Sequence, residues 1–467
     1  MTGSQIVLVV SVAVYMAVML AIGFWASGKI HNTRDYIVAG GRLGGWLSLG
    51  TLFATWFGAE TCMGSSRTAY EQGILGVIAD PFGAGLCLIL SGLFFVRFFR
   101  RFGFTTIIHF FEARYGKKTA SIFGLLYVPV YLGWVGGQLL AFGLILHSLT
   151  GLPVSVAVAT ATAVVLLYTY SGGMWAVAAT DLVQMFFIIL GLGILFPVLL
   201  SDLGGWQTAR AQIPDHFFHF YPREGGALAW LSYAQAWMIV GIGSLPAQDL
   251  FQRIMAPRNE TIARWSAVLA GLLYMIIGMI PVLLGILGRI VLPENAGDSI
   301  LLALSEKYLS LPLRALMVGA LLSAIMSTAD SALLAPAGII GNNLAAYFHP
   351  QYDDAARLRW CKASIPIVGL ASLFLAICFK NVYTLCTQSW GILLVGVSAP
   401  MIAGMFWKRA STAGALAALV SGILAWIVFS NILPSTYPSQ LMAFAVSWIA
   451  LMAVSIAVPQ KQKALSY

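Results

Sequence analysis

Residues 316–341, LMVGALLSAIMSTADSALLAPAGIIG, read as a membrane-buried helix that carries a carboxylate, Asp330. Within it Ala324, Ser327, Thr328 and Ser331 fall at i, i+3, i+4 and i+7, which sets hydroxyls on one helical stripe with the carboxylate at its edge. An ionisable side chain at the centre of a bilayer helix costs at least about 2.5–3.5 kcal/mol, so it usually faces a partner, an ion or a water-filled path. Oxygen ligands alone suit a hard cation such as sodium, not zinc or copper.

The elements that would hold this stripe are themselves apolar. Of 467 residues 60% are hydrophobic and 9% charged, far below the roughly 25% charged residues of soluble domains. Residues 119–180, 265–288, 381–407 and 410–460 contain no Asp, Glu, Lys or Arg. A spanning helix needs about 20 apolar residues, so the first and last of these can each hold two. The composition indicates a multi-pass protein of the cell membrane, with the lipid bilayer as its surroundings. The net charge of +9 does not point to nucleic acid. The five cysteines are dispersed, without a CxxC pair, and read as small core residues.

Thirteen candidate helices lie near 5–26, 45–66, 74–98, 120–148, 152–171, 178–201, 228–252, 265–288, 312–345, 361–380, 383–406, 412–431 and 438–458. Residues 5–26 lack the basic start of a cleaved signal peptide and are expected to be the first span. With the N-terminus outside, 19 of the 26 Lys and Arg residues fall on the inner side. The positive-inside rule therefore favours an N-out, C-in chain. The short C-terminal tail leaves one membrane domain, 1–467, as the expectation.

Two spans look broken. Residues 50–73 carry Gly58, Glu60, Thr61, Gly64, Ser65 and Ser66; residues 238–253 carry Gly241, Gly243, Ser244, Pro246, Gln248, Asp249 and Gln252. Proline frees an upstream carbonyl and glycine makes unwinding cheap. Freed carbonyls are tolerated at membrane depth only where protein, water or an ion satisfies them. Interrupted helices five spans apart point to an inverted-repeat transporter with its site at the midplane.

RDYIVAGGRLGGW (34–46), the interrupted 50–73 segment, YSGGMWAVAATDLVQ (170–184), PAQDLFQR (246–253) and SAIMSTADS (323–331) together resemble the sodium/solute symporter family, which includes sodium–glucose, proline, pantothenate, sialic acid and choline transporters. The resemblance implies an all-α LeuT-type five-plus-five inverted repeat: an extra N-terminal helix at 5–30, a first repeat at 45–201, a second at 228–406 and C-terminal helices at 412–458. It implies a sodium held by the carbonyls of Ala54, Phe57 and Ala324 and the hydroxyls of Ser327 and Thr328. The residue-level alternative is that both hydroxyls simply bond the carbonyl one turn back. A second sodium is implied at Asp181, Ser327, Asp330 and Ser331, while Asp181 also reads as a helix N-cap. No organic cofactor is implied.

Candidate solute contacts are Trp56, Glu60, Thr61, Tyr70, Asp80, Trp134, Gln138, Gln248, Asp249, Gln388 and Trp390. Aromatic residues suit a quaternary ammonium, and the ATW-G and PxQxxFQR segments look most like choline-transporting members, although Ala247 stands where such a member places tryptophan. The acids favour an amine-bearing or neutral solute over a dicarboxylate. Glu60 and Asp249 could equally bond backbone freed at the breaks, or pair with Arg67 and Arg253. The outer-loop run DHFFH, Asp215–His219, is expected to be solvated, since a metal site needs three ligands in closed geometry. The expected function is sodium-coupled import of a small polar organic solute, an amino acid, quaternary amine or similar, by alternating access. A proton-coupled symporter of the same fold, or a passive channel or facilitator, are the alternatives. No HExxH or GxSxG motif supports an enzyme.

Overall fold

The computed structural model describes residues 3–293, 297–379 and 381–460, and among them it is all-helical apart from one isolated bridge, Leu43 with Pro257. Lys380, Lys461 and Lys463, used above in weighing orientation, lie outside the described residues, as does the last residue of the 361–380 segment. The principal helices are α1 (Gly3–Ser27), α2 (Gly45–Trp56), α3 (Ser65–Gln72), α4 (Ile74–Arg100), α5 (Lys117–Thr150), α6 (Val154–Asp202), α7 (Gly226–Gly241), α8 (Gln248–Met255), α9 (Glu260–Val291), α10 (Leu311–Phe348), α11 (Asp354–Cys378), α12 (Val382–Phe406), α13 (Thr412–Ile432) and α14 (Ser439–Ala457).

Ten helices among the described residues are long and apolar enough to cross a bilayer. Their outward faces carry large apolar side chains that a soluble protein would bury: Leu167 is 75% exposed, Phe374 68%, Ile276 65% and Ile456 63%. Patches of that kind need a non-aqueous neighbour. The interior is the reverse, with Thr51, Glu60, Asp181, Asp249, Arg253, Ser327 and Asp330 all buried. Four cysteines are buried as expected, while Cys378 is exposed at the end of α11.

The reading of Asp181 as a helix N-cap needs correction. The segments 152–171 and 178–201 are two helices, the halves of α6, parted at a kink where Gly173 leaves helical geometry (φ 53°, ψ −179°). A side chain there would meet the Tyr36 ring at 2.7 Å and Ile30 Cδ1 at 2.9 Å, so glycine supplies both the left-handed φ and the space. Asp181 consequently sits well inside the second half and is not an N-cap. The breaks expected within 45–66 and 228–252 are present: α2 stops at Trp56 and α7 at Gly241, and in each case the chain re-enters helix several residues later.

Candidate functional site

The first break is made by four residues. Phe57 leaves the helix (φ −82°, ψ 67°), and its N–H still bonds Phe53 O at 3.0 Å. The Gly58 N–H then turns to Trp56 O at 3.0 Å, so the helical bond to Ala54 O is not made. The Ala59 N–H donates to Gln138 Oε1 at 2.9 Å instead of to Thr55 O. Helix resumes as the Cys62 N–H bonds Gly58 O at 3.1 Å. Thr55 O accepts the Thr328 hydroxyl of α10 at 2.8 Å, and the same hydroxyl lies 3.0 Å from Ala324 O. The break thus leaves Thr55 O of α2 facing α10, where it meets the Thr328 hydroxyl. The expected bond one turn back is therefore present at Thr328, but shared with α2.

Ser327, one residue earlier and about 100° round the helix, faces α6 and donates to Asp181 Oδ1 at 2.5 Å. Asp181 also accepts from Thr51 at 2.5 Å and Thr55 at 3.2 Å, both on Oδ2. Thr51 and Thr55 are i, i+4 on α2, so one carboxylate ties α2, α6 and α10 together. Ser331 lies 3.0 Å from the Thr55 hydroxyl and donates to Asp330 Oδ1 at 3.2 Å. Asp330 Oδ2 is buried and has no hydrogen-bond partner among the described residues. Tyr15 of α1 reaches the same α10 face one turn before Ser327, 2.7 Å from the Ser323 hydroxyl.

The second break runs from Ile242 to Ala247, where Gly243 lets the chain pass close to Leu394 and the Trp390 carbonyl. Freed Pro246 O accepts Tyr127 OH at 2.6 Å. Asp249 and Arg253 follow in the first two turns of α8. Arg253 is fully buried: its Nε donates to Thr51 O at 3.2 Å, Nη1 to Asp249 O at 3.0 Å and Nη2 to the Ser331 hydroxyl, and Nη2 lies 3.9 Å from Asp181 Oδ2. Arg253 therefore meets the backbone of Asp249, not its carboxylate, while Arg67 pairs with Glu71 at 3.0 Å.

The Asp249 carboxylate instead accepts Trp56 Nε1 at 2.9 Å and Tyr131 OH at 2.7 Å, and the Asp249 N–H returns to Tyr131 OH at 3.0 Å. Around it four rings close an aromatic box. Trp56 stacks on Trp390 (6.1 Å, 20°), Trp134 meets Trp390 edge-on (4.6 Å, 63°), and Tyr131 lies 6.0 Å from Trp134 and 6.3 Å from Trp390. Glu60 forms the far wall, accepting Trp134 Nε1 at 2.8 Å and Gln138 Nε2 at 2.7 Å. The two buried carboxylates thus accept from the N–H and O–H edges of these rings, and negative charge set beside aromatic surface favours a cation.

Behind the break, Tyr274 OH lies 2.6 Å from Trp56 O, 2.9 Å from Asp80 Oδ2 and 2.5 Å from the Thr61 hydroxyl. With one proton to give, the phenol serves the Trp56 carbonyl or Asp80 and takes the Thr61 proton in return. Tyr274→Phe strands these buried acceptors and is expected to lower stability by about 1–3 kcal/mol. Thermal unfolding in detergent reads the loss, with the sodium midpoint of stabilisation unchanged.

Of the expected solute contacts, Trp56, Glu60, Trp134, Gln138, Asp249 and Trp390 are brought together, with Thr61 and Asp80 one layer behind. Three are placed elsewhere. Tyr70 OH bonds Pro293 O at 3.0 Å, Gln248 Oε1 accepts the Ile107 N–H at 2.8 Å, and Gln388 accepts Gln440 Nε2 at 3.0 Å beside a cavity of about 470 Å³ between α7, α12, α13 and α14. Tyr131, Thr51, Thr55 and Tyr274 were not singled out from sequence. Tyr127, Tyr131, Trp134 and Gln138 fall at i, i+4, i+7 and i+11 of a charge-free helix, a one-faced polar-aromatic stripe that was there to be read. In the loop between α6 and α7 Asp215 pairs with Arg210 and lies 3.4 Å from His219; the Arg210 guanidinium holds its carboxyl below the usual range. Among the described residues no group of three His, Cys, Asp or Glu could hold a metal.

A helical membrane protein whose buried polar groups converge on two broken helices is a transporter of the LeuT type. The solved Na+-coupled sialic acid symporter, substrate-bound and outward-open, superposes with a TM-score of 0.84 over 98% of this chain and 99% of its own, at 19% identity. MhsT in complex with L-phenylalanine superposes at 0.56 over 88% and 98%, at 14% identity. The profile of the sodium:solute symporter family matches residues 36–422. The human high affinity choline transporter 1 is 27% identical over 89% of this chain and 75% of its own length. The Vibrio parahaemolyticus sodium/glucose cotransporter is 24% identical over 91% and 85%, and the Bacillus subtilis high-affinity proline transporter PutP 25% identical over 96% and 98%. The chain belongs to the sodium:solute symporter family, whose members here are membrane transporters and not enzymes.

Proposed function

We propose that this protein imports a small organic cation with a quaternary or tertiary ammonium head, in symport with sodium. The observation that carries the solute class is the aromatic box of Trp56, Tyr131, Trp134 and Trp390 closed by the Asp249 carboxylate. A desolvated ammonium against such faces gains about 2 kcal/mol or more per well-placed ring, and buried carboxylates offset its charge. Similarity to choline transporters of human, Torpedo marmorata and Drosophila melanogaster, at 26–28% identity, supports the same class.

Sodium sits, on this reading, where α2 and α10 cross, with Ala54, Phe57 and Ala324 offering carbonyls and Ser327 and Thr328 hydroxyls. Asp181, Ser331 and Asp330 form the second ion position, and Arg253 already provides one positive charge there. The chain crosses the bilayer thirteen times, N-terminus out, with 45–201 and 228–406 as inverted repeats about that crossing. Sodium fixes α10 against α2, the solute completes the box, and the two repeats rock to open inward; each ligand must favour the same state. One charge entering through about 100 mV contributes about 2.3 kcal/mol, and a cationic solute is driven by the potential as well.

Proteoliposomes holding the purified protein should accumulate labelled choline with an inward sodium gradient and an inside-negative potential, and Asp249→Asn should raise the choline concentration for half-maximal uptake at least tenfold. Sodium-driven uptake of proline or glucose with no competition from choline would reject the cation reading. Uphill uptake driven by a pH gradient in sodium-free buffer would reject sodium coupling.

A further inference from the structure

Glu60 is buried, and no Lys, Arg or His among the described residues pairs with it. Its two hydrogen-bond donors are neutral: the Trp134 indole and the Gln138 amide. A buried carboxylate with only neutral partners is costly, and either a proton or a cation close by relieves that cost. The space over Gly58 shows from which side. A methyl group on Gly58 would sit 2.6 Å from Glu60 Oε2, 2.7 Å from Thr328 Oγ1 and 3.0 Å from Gln138 Oε1. Three oxygens therefore crowd the one face of the break that has no side chain, and one of them is the hydroxyl of the α2–α10 crossing. The ion position there is otherwise built of neutral carbonyls and hydroxyls.

We propose that Glu60 supplies the negative charge of the sodium position from just outside its oxygen ligands, and through its second oxygen anchors Trp134, so that one side chain joins the ion to the aromatic box. The inference rests on sodium binding at the crossing and goes beyond it by assigning Glu60. Oε2 lies on the Thr328 side and Oε1 on the Trp134 side, so an ion drawn toward Oε2 holds the carboxylate in the orientation that fixes the indole against Trp390. Sodium occupancy and the shape of the solute box are thereby linked. Gln138 sets the register of this link: it caps the Ala59 N–H with one amide atom and steers Glu60 with the other.

The test is sodium-dependent thermal stabilisation of the purified full-length protein without solute, at constant ionic strength with potassium replacing sodium. Glu60→Gln should raise the sodium midpoint at least tenfold, and Glu60→Asp, which keeps the charge but withdraws it, by about threefold. A purely structural role lowers the melting temperature at every sodium concentration and leaves the midpoint in place. Trp134→Phe keeps the charge and removes the anchor, so half-saturation for choline should rise by more than its sodium midpoint does. Glu60→Asp decides the matter should Glu60→Gln not fold: an unchanged sodium midpoint in that variant overturns the assignment. A wild-type midpoint in folded Glu60→Gln also overturns it, with the sodium position intact. No sodium-specific stabilisation of the wild type overturns both readings.

Discussion

Replacing Ser327 and Thr328 together by alanine raises the sodium concentration for half-maximal uptake by more than tenfold, in a protein that still inserts. The two hydroxyls are adjacent in sequence but act in different directions. Thr328 points at the first break, where its hydroxyl spans Thr55 O and Ala324 O and its free lone pair faces the oxygens over Gly58. Removing it deletes an ion ligand and leaves Thr55 O without the donor that replaces its missing helical bond. Ser327 points at α6, and removing it takes one hydroxyl from Asp181. A buried acceptor deprived of its donor costs about 1–3 kcal/mol. The single variants should therefore separate. Thr328→Ala moves the sodium midpoint most and also lowers the melting temperature, because Thr55 O loses its donor. Ser327→Ala lowers the melting temperature by several degrees and moves the midpoint less. Sodium titrations of uptake, with potassium as replacement, give the first quantity and thermal unfolding the second. An unchanged sodium midpoint in the folded double variant removes the crossing of α2 and α10 from consideration as an ion position.

That divergence of Ser327 and Thr328 shows how far a sequence can be read. The stripe itself was legible, because helical spacing fixes which residues share a face and an apolar setting makes hydroxyls and acids conspicuous. The two breaks were legible for a similar reason: glycine, proline and acids are expensive in a plain span, and their clustering at 58–66 and 241–249 marks where backbone must be satisfied by something else. The partner across the gap is what periodicity does not encode. Asp181 looked like a helix start because a polar residue after YSGGMWAVAAT suits a cap. It lies inside the second half of α6 because the break falls eight residues earlier, at Gly173, where contact with Tyr36 and Ile30 demands a glycine. Gln388 and Tyr70 were plausible solute contacts by helix number, yet their side chains end at Gln440 and Pro293. Tyr131 escaped notice because a tyrosine in an apolar helix is ordinary until the second break sets Asp249 against its hydroxyl.

Arg253→Met is expected to be the most damaging single exchange in the molecule, for reasons of charge and not of volume. Arg253 is 0% exposed, and so are Asp181 and Asp330. Its guanidinium lies 3.9 Å from Asp181 Oδ2, and its other nitrogens are spent on Thr51 O, Asp249 O and the Ser331 hydroxyl. At that separation an effective dielectric near 20 gives an attraction of about 4 kcal/mol. Deleting one member of a buried pair usually costs about 3–5 kcal/mol, because the survivor stays charged and unpaired. Here the survivors are two carboxylates on facing helices, α6 and α10, so their repulsion adds to the loss and acts to separate elements that the Asp181 hydroxyl bonds hold together. Lysine should rescue little, since one ammonium cannot reach three acceptors spread over α2, α8 and α10 in the fixed fork of a guanidinium. Asp181→Asn in the Arg253→Met background should restore more than half of the lost melting temperature, because it removes the unpaired charge while keeping an oxygen for Thr51, Thr55 and Ser327. If stability falls further in the double variant, the damage comes from the lost backbone bonds to Thr51 and Asp249, and the charge balance between α6, α8 and α10 is not what holds the centre closed. Sodium gives an independent reading of the same balance. With the fixed cation gone, Asp181 and Asp330 should draw sodium more strongly, so stabilisation of Arg253→Met by sodium should exceed that of the wild type.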